Sequence, residues 1–138
     1  MEKIKKGFPE QGNGIRNQSL GHRPVGLMEM LELTKAKIEL ENFSIADRAF
    51  AAEITLIIAE VMRLPETAEI RIEGNRLSAR MVQEVYAMIE KEHVEAVIRA
   101  YRNARYEIRH KKTYIRTALY NSVFEMESGV ENQFSSEE

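Results

Sequence analysis

Between Leu27 and Phe124, apolar residues return every three or four positions, with charged residues between them. That period belongs to helices that each bury one face, so the chain must stack several such faces together. Leu27, Met30, Leu31, Thr34, Ile38 and Leu40 form a first stripe that ends near Asn42. Ser44-Ile45-Ala46-Asp47 opens the second as a capping box with Asp in place of the usual Glu. Ala46, Ala49, Phe50, Ile54, Ile57, Ile58, Val61 and Met62 continue it until Pro65, whose preceding residue avoids the helical region. Ser78 caps a third helix to about Glu90, with Met81, Val82, Val85, Tyr86 and Ile89 facing inward. A fourth begins near Glu92 and carries Val94, Val97, Ile98 and Tyr101. The last covers about Lys111 to Met126 through Tyr114, Ile115, Ala118, Leu119, Val123 and Phe124.

One segment breaks this period. Glu69-Ile70-Arg71-Ile72 alternates polar and apolar, and Glu73-Gly74-Asn75-Arg76 then supplies turn residues before Leu77. It reads as a short β-hairpin near residues 69–78. Two strands are too few to stand alone, so the hairpin must lean on the helices. The fold class is therefore mainly α: a compact bundle of about five helices with one hairpin inserted.

Residues 1–26 hold five of the seven glycines and two of the three prolines, and few apolar groups to offset the entropy of ordering them. They read as a flexible, mildly basic leader. Residues 27–127 form the domain, and residues 128–138 an acidic, disordered tail. A chain of 138 residues fits one such domain without staples, and there is no cysteine to make one. No apolar run reaches the roughly 20 residues of a membrane span, and the first residues lack a signal-peptide core. The cytoplasm is the default address.

Chemistry is sparse. His22, His93 and His110 are far apart and without metal-ligand spacing, so no metal is expected and His93 reads as an ordinary helix-start residue. Glu90, Glu92 and Glu95 fit a solvated helix surface better than acid–base catalysis. No glycine-rich loop opens a helix to cradle phosphate, and no serine sits in a nucleophile-elbow context. The expectation is a protein that is not an enzyme and takes no cofactor.

Charge is what rises above this background. Residues 99–116 carry Arg99, Arg102, Arg105, Arg109, Lys111, Lys112 and Arg116 with His110, against Glu107 alone. From Glu125 onward there are five glutamates and no basic residue. On a helix, Arg99, Arg102, Arg105 or Tyr106, and Arg109 would share one side, interleaved with Tyr101, Tyr106 and Tyr114. Arginine forks beside aromatic faces suit a nucleic-acid groove. Equally, Tyr101 and Tyr114 fit the core, and the cations fit surface pairs with glutamates of the first helices, each pair contributing under about 1 kcal/mol.

The order of Ile70-Arg71-Ile72-Glu73-Gly74, then Val82 through His93-Val94-Glu95-Ala96-Val97, then Glu107 through Tyr114, Leu119, Tyr120 and Asn121 resembles one family. It is similar to the C-terminal domain of the replication initiator A proteins of Gram-positive plasmids and mobile elements. The likeness spans about residues 27–125 and is most specific in its last segment. It implies a non-catalytic replication module, akin to primosomal DnaD-type domains, that recruits a host primase or helicase-loader protein; DNA as a partner is the alternative that the basic stretch offers. The family's origin-binding winged helix lies before this domain, so origin recognition is not implied here. Arg116 stands where the family usually has leucine and Val123 where proline is common, and the tyrosine pair expected after the last helix is absent.

Overall fold

The computed structural model describes residues 25–137, with side chains through residue 126. The leader expected over residues 1–26 therefore lies almost wholly outside the described residues. Among those described there are five α-helices and one antiparallel hairpin: α1 (Leu27–Lys37), α2 (Ile45–Met62), β1 (Glu69–Ile72), β2 (Asn75–Ser78), α3 (Ala79–Tyr86), α4 (Lys91–Arg102) and α5 (Lys111–Glu137). The expected class, a mainly α bundle with a short hairpin inserted, is the observed one.

α2 is the hub. It packs against α1, α3, α4 and α5, and Ala51, Ile54, Thr55, Ile57, Ile58, Ala59 and Val61 are all buried on it. Ser44 starts it by accepting from Asp47 N–H at 3.2 Å, as the capping reading required. Its far end is finished by another helix. The Gln83 amide of α3 donates to the carbonyls of Val61 and Leu64, both at 2.9 Å, which supplies partners to the acceptors that a helix terminus leaves open.

The connection from α1 to α2 is tighter than the stripe suggests. α1 stops at Lys37, Glu39 takes a left-handed conformation (φ 56°), and a 3-10 turn covers Leu40–Asn42. A side chain in that region costs about 1–2 kcal/mol. The kink buries Ile38 and Phe43 to 1% and 2% exposure, each worth about 1.5–3 kcal/mol. Burial wins.

β1 and β2 pair from Glu69↔Ser78 to Ile72↔Asn75, leaving Glu73 and Gly74 as a two-residue loop. Both have positive φ, 53° and 82°, the type I′ signature that matches strand twist. β1 buries Ile70 and Ile72 against α3 and α5, while Arg71 and Glu73 point outward.

Several boundaries and faces differ from expectation. α3 ends at Tyr86 rather than Glu90, because residues 87–90 turn the chain into α4 and bury Ile89. Met81 is 48% exposed rather than inward, and Phe124 is 49% exposed. Ala46 and Ala49 are also exposed. α5 runs to Glu137, through the segment expected to be a disordered acidic tail. A helix already nucleated by packing propagates readily through glutamates, even past Gly129.

Two substitutions compare cavity with strain. Leu119→Ala, at a fully buried position, is expected to lower unfolding free energy by about 2–5 kcal/mol in urea titrations. At Gly74 an added Cβ meets no atom within 4 Å, so Gly74→Ala is expected to carry only the left-handed penalty of about 1–2 kcal/mol.

Candidate functional site

The seven cations of residues 99–116 do not form one helical row. α4 ends at Arg102, Asn103 caps it with its N–H on the Arg99 carbonyl at 2.9 Å, and residues 103–110 reverse the chain. Arg105 and Arg109 are therefore on a connecting loop, and the expected shared side with Arg99 and Arg102 is not formed. No breaker marks this point in the sequence. The reversal is set by the packing of α5 back along α4.

Three of the seven reach across to α2. Arg102 pairs with Asp47 and also donates to the Ala46 carbonyl at 3.1 Å. Lys111 pairs with Glu53 at 2.8 Å, and Lys112 with Glu60 at 2.7 Å. Lys111 also lies over the rings of Phe50 and Tyr101, 4.5 and 5.4 Å from their centroids. Phe50, Tyr101 and Tyr114 stack edge to face below it, at 5.1 and 5.8 Å. These contacts fasten the end of α4 and the start of α5 onto α2. Each exposed pair is worth under about 1 kcal/mol, but together they consume the charge locally.

Arg109 has only a long 3.9 Å contact with Glu107, both well exposed. Arg99 and Arg105 are exposed and have no carboxylate partner among the described residues. Arg116 turns toward α3: its carbonyl accepts from the Tyr86 hydroxyl at 2.7 Å, and its buried Nε has no partner.

The residues that carry the family likeness fall into two groups. Leu119 is core, and His93 is structural: its Nδ1 accepts from Glu90 N–H at 2.9 Å. That closes the start of α4 as a capping Glu or Gln would. Tyr114, Asn121 and their neighbours line a groove instead. Tyr120 is half-buried against Phe124, with ring centroids 5.3 Å apart.

The groove has a volume of about 430 Å³ and lies between the hairpin, α4 and α5. α4 supplies Ala96, Val97 and Ala100, and α5 supplies Thr113, Tyr114, Thr117, Ala118, Asn121, Ser122 and Glu125. Arg71, Glu73 and Gly74 of the hairpin close one end. The Asn121 amide donates to the Glu73 carboxylate and holds that end in place. Burial, together with the neighbouring Tyr106, pushes the Tyr114 hydroxyl above the ordinary phenol range. It is neutral at physiological pH and serves as a dipole.

Other depressions are less suited to a ligand. One of about 540 Å³ is lined by a single segment, residues 32–42, rich in glutamate. One of about 110 Å³ sits between α1, α2 and α3. Sequence reasoning missed Ala96, Ala100, Thr113 and Thr117. Their signal was present as runs of small residues four apart, Ala96-Ala100 and Thr113-Thr117-Asn121, beside the apolar stripes. No group of three or more metal-ligating side chains exists among the described residues, and no helix among them is long and apolar enough to cross a membrane.

The Tyr86 contact gives a pH test. Burial pushes its hydroxyl well above the ordinary value of 10.0, with Arg116 opposing weakly. The folded state thus holds this proton to higher pH than the unfolded chain does. Its contribution is complete below pH 10 and is lost as pH rises toward the folded value. Tyr86→Phe is expected to cost about 1 kcal/mol near neutrality and to flatten the alkaline decline, read by urea melts at pH 7 and at about pH 11. Searches of family models, of curated proteins and of solved structures found no match to this chain.

Proposed function

We propose that this chain is a cytoplasmic, non-catalytic interaction module of the replication-initiator C-terminal type, which holds a host replication protein such as a primase or helicase loader in the groove. One observation supports the reading above the rest. The three separated segments that carry the family likeness, at residues 70–74, 82–97 and 107–121, each contribute residues to the walls of this one groove, the second through Ala96 and Val97. A role in folding alone would not require them to meet at a surface depression. The walls are mainly apolar with a few placed polar groups, which is the character of a recognition site.

A second reading, sequence-tolerant binding of single-stranded nucleic acid, draws on the loop. Arg99 and Arg105 have no carboxylate partner among the described residues, and Tyr106 between Arg105 and Arg109 is 65% exposed. Stacking on such a ring contributes about 1–3 kcal/mol per base. Against it stands the engagement of Arg102, Lys111 and Lys112 with α2.

Both readings give numbers. In a pull-down against host primase and helicase-loader proteins, a partner is expected to be retained at micromolar concentration, and Ala100→Trp, which fills the groove, is expected to weaken retention at least about tenfold. Retention of no partner defeats the recruiting role. For single-stranded DNA, two free arginines predict a slope of log K against log salt near −1.4. A slope near −5 would mean that all seven cations face phosphate.

A further inference from the structure

The proposed recruiting role leaves the shape of the bound segment open, and the groove walls constrain it. Thr113 and Glu125 both line the groove and lie twelve residues apart on one helix, so its length is about 18 Å, or three helical turns. Both walls are ridged with the spacing of helices. α5 presents Thr113, Thr117, Asn121 and Glu125 four apart, with Tyr114, Ala118 and Ser122 as a parallel row. α4 presents Ala96 and Ala100 opposite them. Rows four apart leave furrows that accept the ridge of a third helix, and alanine walls let its axis approach to about 8 Å. An extended strand would instead need an unpaired backbone edge along the whole groove, and β1, the strand in contact with α5, is four residues long, about 13 Å and shorter than the groove.

Charge selects further. Glu73 and Glu125 sit at the hairpin end, with Arg71 the one cation lining the groove. The two carboxylates outnumber that one cation, so the groove lining is net acidic.

On these grounds, and resting on the recruiting role above, we infer that the groove binds a basic amphipathic helix of about three turns from a partner protein. Small or unbranched apolar side chains face Ala96, Ala100, Thr117 and Ala118, and Lys or Arg in one terminal turn meets Glu73 and Glu125. The neutral Tyr114 hydroxyl and the polar atoms of Asn121 and Ser122 are within the same walls to receive polar side chains.

The test is selection of a randomised fourteen-residue peptide library on the full chain, the length being about that of three to four turns. Affinities of the winners are then measured for wild type, Ala100→Trp and Glu125→Lys, with folding of each variant checked by circular dichroism. The expected result is enrichment of peptides with apolar residues at i, i+4 and i+7 and an excess of Lys and Arg. Their binding falls at least about tenfold in Ala100→Trp and measurably in Glu125→Lys, an exposed position that does not endanger the core. Winners with alternating or proline-rich patterns would overturn the helical occupant while leaving the recruiting role to the primase pull-down. Winners insensitive to both variants, or no enrichment at all, would overturn the inference. Displacement of winners by a synthetic peptide of residues 1–24 would assign the groove to this chain's own leader instead. Micromolar self-association abolished by Ala100→Trp would assign it to a second copy.

Discussion

The bundle depends on the burial of one long apolar face of α2. A helix apolar enough to be covered by four others cannot be stable at a surface, so α1, α3, α4 and α5 are all organised by the need to enclose it. The cover is not purely apolar. Gln83 closes the carbonyl end of α2, and Ser44 closes its start. Both ends of the most buried helix are thus satisfied by side chains, which keeps the cost of hiding its termini low.

The same helix decides what the basic stretch can do. Asp47, Glu53 and Glu60 remain along its exposed edge and attract Arg102, Lys111 and Lys112. These pairs add to the apolar contacts by which Val94, Val97, Ile98, Ile115 and Leu119 hold α4 and α5 in the core. Charge in this protein serves assembly first. Of the seven cations, Arg99 and Arg105 have no carboxylate partner among the described residues, and Arg109 has only a distant one.

Much of this was legible from the residues. Ser44 and Ser78 marked true helix starts, Pro65 followed the end of α2, and Glu73-Gly74 formed the turn, because each acts within a few residues of itself. Tyr101 and Tyr114 lie on the apolar side, stacked on one another, as their place in the stripes implied. What could not be read depends on distant partners. Nothing local stops α4 at Arg102, because the stop is imposed by the return of α5. Met81 holds an apolar slot in its stripe but has no neighbour there. The groove was hidden for the same reason: each wall is an ordinary helix surface until the hairpin, α4 and α5 meet.

The order of contacts also has a kinetic meaning. α1 packs on α2, β1 on β2, and α4 on α5, so the most extensive pairings join elements adjacent along the chain. Chains rich in such short-range contacts lose little loop entropy before the first contacts form, and they fold on microsecond to millisecond timescales. Each hairpin of helices or strands can form early. The joins between distant parts, Arg102 to Asp47 and Asn121 to Glu73, span 55 and 48 residues. The groove has walls from the hairpin, α4 and α5, so it exists only where all three are docked together.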